Sequence, residues 1–196
     1  GFLAAFNVLL MRYTGQTDVA VGVPLAARQD ARLRDVVGYF ANTVVMRNHL
    51  EGQGGFNALL AAVRQTTLAA LAHQDVPFDK LVAELNPERD ASRNPLYQVS
   101  FALENFPHRI LELSNLASED LAIRTETSKF DLSLVIVESA GGFDALFEYR
   151  TDLFEARSIA EMAAHFVTRL RGIVDDPDCA LDRLPLVHVR EHGPEV

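Results

Sequence analysis

The side chains able to do chemistry are unevenly spread along this chain, and the one group with metal-ligand spacing sits at its end. His188-Val189-Arg190-Glu191-His192 matches an H-x-x-E-H pattern, in which two imidazoles on one helical face hold zinc and the glutamate handles a proton. Gly193-Pro194 breaks any helix there and no later ligand follows, so a solvated tail and no metal are expected. Gly52-Gln53-Gly54-Gly55 lacks the later glycine and the strand and helix of a dinucleotide cradle. No G-x-S-x-G turn offers a nucleophilic serine. Three polar stretches have a composition too specific for ordinary loops: Val37 to Arg47, His73 to Asp79 and Arg89 to Leu96, with Val21 to Arg28 ahead of them.

Those stretches need elements to position them. Phe2, Leu3, Phe6, Leu9, Leu10 and Tyr13 recur at helical spacing up to Thr14-Gly15, which predicts an uncapped first helix closed by glycine. Asp18 to Leu25 is short and β-branched, hence a strand, and Ala41 to His49 reads as a second one after a turn at Gly38. Helical stripes run from Phe56 to about His73 and, opened by Pro77, from Phe78 to Leu85. Tyr97, Val99, Phe101 and Leu103 alternate with smaller or polar residues, as a half-buried strand does. Phe130 to Glu138 and Phe143 to Arg150 flank Ser139-Ala140-Gly141-Gly142 as a hairpin. Ser158 and Glu161 have capping-box spacing at the start of a last helix that Asp175-Asp176-Pro177 stops. Helices and strands mixed without strict βαβ alternation predict a layered α/β sandwich. Phe101, Phe106, Phe130, Phe143, Phe147 and Tyr149 read as core rather than as an acyl pocket.

Composition narrows the task. The 196 residues include 18 Lys and Arg against 27 Asp and Glu, a net charge of −9, which argues against nucleic acid as a partner. Cys179 stands alone, so no disulfide framework is expected and a reducing, cytoplasmic setting is the simple reading. No apolar run approaches the roughly 20 residues that cross a bilayer, and no secretion signal opens the chain. The chain begins at Gly1 already in a helical pattern, with its first methionine at Met11, which reads as a piece of something longer.

In order and separation, the three polar stretches resemble the last signature motifs of condensation domains of nonribosomal peptide synthetases. Val21-Gly22-Val23-Pro24 through Arg28 is similar to the G-x-P-x-x-x-R stretch before them, and Lys129 to Leu132 and Thr151 to Phe154 look like later family segments. The resemblance covers essentially the whole chain. It implies one chloramphenicol-acetyltransferase-like lobe, with a mainly antiparallel or mixed sheet packed by helices, out of a two-lobed domain. Residues 1 to 184 are then the C-terminal lobe, and 185 to 196 the start of an interdomain linker. Such domains join an acyl or peptidyl thioester to the amine of the next aminoacyl thioester, both held on phosphopantetheine arms of donor and acceptor carrier domains, beside an adenylation domain. No cofactor is bound directly. The family's H-H-x-x-x-D-G histidine motif lies on the other lobe and is absent here: no two histidines adjoin, and His108 to Glu112 only approximates the spacing. No catalytic residue is expected in this chain, and the fragment alone is expected to be inactive and to self-associate through the face its partner lobe covers. Two alternatives remain: a carrier-binding lobe without catalysis, and a lobe of a stand-alone acyltransferase that uses coenzyme A or a carrier. An epimerization domain is disfavoured by the Arg-Asp-Ala-Ser-Arg-Asn-Pro-Leu stretch at 89 to 96.

The resemblance assigns active-site support or tunnel lining to Arg28, Gly38, Asn42, Thr43, Asp131 and Ser133. Arg28 either braces the other lobe's motif aspartate or is a loop arginine beside Asp30 and Asp35. The Asn42 amide either bonds a pantetheine or thioester oxygen or satisfies turn backbone. Asp131 and Ser133 either face the tunnel or belong to an ordinary strand surface. His73, Asp75 and Pro77 fit structural roles at helix ends. Arg89, Asp90, Arg93 and Asn94 fit a rigid, self-bonded loop.

Overall fold

The structure, a computed structural model, describes residues 1–26, 28, 30–33, 35–52, 54–88, 90, 92–104, 127–139 and 141–185. Among the described residues, four α-helices and five strands follow in chain order, with a short 3-10 turn at Ala31–Leu33 between the first two strands: α1 (Phe2–Thr14), β1 (Asp18–Leu25), β2 (Asn42–His49), α2 (Phe56–Ala72), α3 (Phe78–Leu85), β3 (Val99–Glu104), β4 (Leu132–Ser139), β5 (Gly142–Tyr149) and α4 (Ala156–Asp175). The strands form one mixed sheet in the order β2-β1-β3-β4-β5. The outer pairs β1/β2 and β4/β5 are antiparallel, whereas β3 runs parallel to both β1 and β4. The layered α/β reading and the mixed sheet therefore hold.

Local chemistry accounts for most boundaries. Gly15 takes φ 72 and its N–H reaches the Met11 carbonyl at 2.8 Å, closing α1. In the β4–β5 hairpin Ser139 pairs with Gly142, which takes φ 137. The capping box does not form: α4 begins at Ala156, before Ser158, and Glu161 instead accepts from Arg157 at 3.0 Å. Nor is Tyr97 part of the strand, since β3 begins at Val99.

Strand periodicity splits the sheet into two faces. Val19 and Val21, Phe101, and Leu132, Leu134 and Ile136 are buried in one core with residues of α1, α2 and α4. The other face bears smaller side chains, among them Gly22, Ser100, Ala102, Ser133 and Val135. Helix α1 packs against both α2 and α4. Its residues Ala4 through Leu10 are therefore buried all round, where the sequence pattern suggests a single apolar stripe. Phe6 meets Phe101, Phe147 and Phe166 at ring-centroid distances of 6.3 to 6.4 Å. Phe143 departs from the expected core set: it is more than half exposed at the sheet edge, where it meets the ring of Phe2 at 4.9 Å. Phe106 lies outside the described residues.

The core also holds a cation. Arg169 of α4 is 0% exposed, and its three guanidinium nitrogens have no hydrogen-bond partner among the described residues. Burial, then the charge of Arg12, lowers its pKa to about 10. An unpaired buried charge forfeits hydration without compensation, so Arg169→Met is expected to raise unfolding stability by about 1 to 4 kcal/mol in urea titrations. A less stable variant would show that the guanidinium has a stabilising partner.

Candidate functional site

The three polar stretches converge on the side of the sheet away from α1, and one side chain links two of them. Asn42, the first residue of β2, donates through Nδ2 to the carbonyls of Gln74 at 2.8 Å and Val76 at 2.7 Å. Its Oδ1 accepts the N–H of Phe78 at 3.2 Å. The first N–H of α3 has no intrahelical acceptor, and the Pro77 side chain cannot supply one. A residue 36 positions upstream therefore caps this helix. His73 closes α2 and accepts from the Val76 N–H at 3.1 Å, while Asp75 is on the intervening turn. The Asn42 amide is thus engaged by backbone, and Asn42, His73, Asp75 and Pro77 lie in one bonded unit.

Arg28 holds the loop ahead of β2. Its guanidinium donates to the carbonyls of Leu33, Val36 (2.7 Å) and Gly38 (3.2 Å) and lies 4.2 Å from the Phe40 ring centroid. Gly38 has a packing reason to be glycine: a Cβ there would sit 3.1 Å from the Phe40 ring.

The third stretch is fastened both to itself and to the sheet. Asp90 accepts from the Ser92 hydroxyl (2.6 Å) and N–H (2.9 Å) and pairs with Arg93 at 2.7 Å. The Ser92 hydroxyl foremost holds the Asp90 carboxyl below its usual range. Asn94 donates to the Lys129 carbonyl at 2.9 Å. Arg150, just past β5, reaches the Ser92 carbonyl at 3.1 Å, Asp131 at 3.4 Å and Asp152 at 2.6 Å. Asp131 thus faces a cation, and Ser133 lies buried beside Ser100 on the small-residue face. Arg89 lies outside the described residues.

Tyr97 joins these pieces, and nothing in its residue type singles it out. The Tyr97 N–H returns to the Pro95 carbonyl at 2.9 Å around Leu96, whose φ is 69, a left-handed conformation that a branched side chain adopts only under constraint. The turn lays the ring over β1, where a Cβ on Gly22 would fall 2.1 Å from it. Phe78 and Phe130 flank the ring at 5.5 and 5.4 Å, and the hydroxyl bonds to the Thr43 side chain. Burial raises the Tyr97 pKa. The signal available in sequence is Gly22 itself, a residue without a side chain in the middle of a strand.

Between α3 and the loop that follows it lies a cavity of about 700 Å³ lined by Asp79, Val82, Glu88, Arg93, Leu96 and Gln98, among others. Among the described residues no three His, Cys, Asp or Glu side chains are placed to hold a metal ion, and His188 and His192 lie outside them. No acid, base and nucleophile converge in the contacts set out above.

Two outcomes test this wiring. Asn42→Asp replaces two donors by acceptors facing carbonyls and is expected to cost about 2 to 4 kcal/mol at neutral pH, measured by urea unfolding. An unchanged midpoint would mean the bonds carry no weight. The second is a pH dependence. The Arg150 hydrogen bond, first among its causes, holds Asp152 below the usual carboxylate range. That stabilisation is present above the ordinary carboxylate pKa and is lost as pH falls through the lowered one. The melting-temperature gap between wild type and Arg150→Met is therefore expected to narrow from pH 7 towards pH about 2.5, and a gap independent of pH would contradict the pairing.

Similarity to known proteins agrees with this geometry. A family model described as "Condensation domain" matches residues 2–193. Tyrocidine synthase 3 of Brevibacillus parabrevis is 42% identical over 189 residues, which are 96% of this chain and 3% of that protein. Chondramide synthase cmdD of Chondromyces crocatus is 42% identical over 189 residues, 96% of this chain and 5% of that protein. The chain thus spans only a small part of the curated relatives it matches. Among solved structures, the X-domain from teicoplanin biosynthesis superposes with a TM-score of 0.86 at 28% identity, covering 95% of this chain and 43% of that one. A four-domain nonribosomal peptide synthetase superposes with a TM-score of 0.87 at 24% identity, covering 96% and 16%. With one family model running nearly from end to end, relatives above 40% identity and the motif stretches joined on one side of a mixed sheet, this chain belongs to the condensation-domain family.

Proposed function

We propose that this chain is the C-terminal lobe of a condensation domain within a nonribosomal peptide synthetase, residues 1 to 184 forming the lobe and 185 to 196 beginning a linker. The observation that carries the reading is the family match over residues 2–193 on a chain whose motif stretches are bonded into one wall. The reaction it serves is attack of an aminoacyl amine on an acyl or peptidyl thioester. The C–N bond forms, the C–S bond breaks, and the amine proton ends on the departing pantetheine thiol. Both substrates arrive on phosphopantetheine arms of donor and acceptor carrier domains, with an adenylation domain nearby, and the setting is cytoplasmic. No helix among the described residues is long and apolar enough to cross a membrane.

In this reading the chain contributes shape rather than proton transfer. Arg28, Gly38, Asn42 and Thr43 keep one wall of the tunnel in place, and Asp131 and Ser133 belong to the same wall. Because their bonds run to this chain's own backbone and side chains, they act as positioning residues. The histidine that handles the proton comes from the N-terminal lobe.

A second reading, a binding lobe without catalysis, is favoured by one observation. The teicoplanin X-domain shares this fold at 28% identity, and one solved structure is described as a complex of the X-domain and OxyB. A single experiment separates the two. The domain expressed through its upstream half is expected to form an amide between carrier-bound donor and acceptor, followed by intact-protein mass spectrometry, while the 196-residue chain alone forms none. Amide formation by the chain alone would refute the divided site, and no amide from a complete domain bearing H-H-x-x-x-D-G would favour the binding lobe.

A further inference from the structure

Thr43 carries its hydroxyl on the sheet face away from α1. It pairs with Pro24, so by the period of two it shares that face with Gly22, Ser100 and Ser133. Its backbone is fixed by its neighbour Asn42, whose amide is bonded to the turn before α3. Its side chain is bonded by Tyr97, which is 4% exposed and tightly seated. Phe78 and Phe130 flank the Tyr97 ring, Gly22 leaves room beneath it, and the left-handed turn at Leu96 delivers it. A strained backbone persists only where its surroundings over-determine it, and such outliers cluster at functional sites. Apolar packing alone would accept phenylalanine in this seat. The hydroxyl is the part of Tyr97 that packing does not explain.

The direction of that bond follows from burial. A phenol has one proton, and a threonine hydroxyl has one proton and two lone pairs. Were Thr43 the donor, the buried phenol proton would lose its acceptor and its desolvation would go uncompensated. The phenol therefore donates to the Thr43 oxygen, and burial, by raising the Tyr97 pKa, keeps it a donor. Thr43 then has its own proton to donate outward, and a hydroxyl that accepts one bond donates the next more strongly. We propose that Thr43 donates to a carbonyl oxygen of the pantetheine-borne substrate, with Tyr97 as the positioning residue that aims it. This rests on the proposed two-lobed reading, in which Thr43 stands on the tunnel wall, and goes beyond it by giving that wall one directed donor.

The test uses the domain expressed with its upstream half and carrier-loaded substrates. Thr43→Val nearly keeps the shape and loses the proton, whereas Thr43→Ser keeps the proton and loses a methyl group. Valine also suits a strand better than serine. A purely structural role therefore ranks Thr43→Val above Thr43→Ser in both melting temperature and activity. The proposal expects the opposite order in activity: Thr43→Ser within about threefold of wild type in kcat/KM, and Thr43→Val lower by about tenfold. Tyr97→Phe is expected to lose about tenfold as well, and the Tyr97→Phe/Thr43→Val double variant at most about twofold more, because both changes remove one device. Rates are compared well below each variant's melting temperature, so unfolding does not enter. Thr43→Val as active as Thr43→Ser, an undiminished Tyr97→Phe, or losses that multiply in the double variant would overturn the inference. A wild-type complete domain that forms no amide would sink the catalytic reading and the donor role with it. An active wild type with undiminished variants would sink the donor role alone, so the two failures are distinguishable.

Discussion

Three hydrogen bonds made by one asparagine hold the motif-bearing side of this fold together. Asn42 opens an edge strand, yet its partners lie at the end of α2 and the start of α3. The carbonyls of Gln74 and Val76 and the N–H of Phe78 are backbone groups at helix ends, which lack internal partners by construction. Once they are satisfied, α3 is fixed beside β2, Phe78 beside Tyr97, and Tyr97 over Gly22. Each later contact depends on the earlier one. This wall is therefore built largely from directional polar bonds, unlike the helix-covered face, which rests on apolar packing.

Much of the architecture is legible in the chain. β1 occupies Asp18–Leu25 as its β-branched run suggests, the Ser139 to Gly142 hairpin forms, and Gly15 and Asp175-Asp176-Pro177 end their helices. These features are local, and backbone geometry over a few residues decides them. What is not legible is long-range. Sequence alone leaves the Asn42 amide open between ligand and turn, since nothing in a strand's first residue reveals that a helix start 36 positions later lacks an acceptor. Tyr97 fits a period of two and so reads as strand, because periodicity counts side chains and is blind to the φ of 69 at Leu96. Ser158 and Glu161 fail as a capping box because α4 already begins at Ala156, which puts Ser158 inside the helix and leaves Glu161 to pair with Arg157 one turn away.

The site residues divide in the same way. Asp90, Arg93 and Asn94 form the self-bonded loop their composition suggests. Arg28, for which the resemblance leaves a loop role and a brace across a lobe boundary both open, bonds the Leu33, Val36 and Gly38 carbonyls of its own loop and lies over the Phe40 ring.

The central strand carries a consequence for biosynthesis. β3 lies between β1 and β4, pairing with a strand about eighty residues before it and with one about thirty after it. While the polypeptide is still emerging from the ribosome, β3 has an open edge until β4 has been made. Relatives of this chain are synthases so long that it spans a few per cent of them. An edge left open in this way can pair wrongly for as long as β4 is unmade, which favours folding domain by domain during translation.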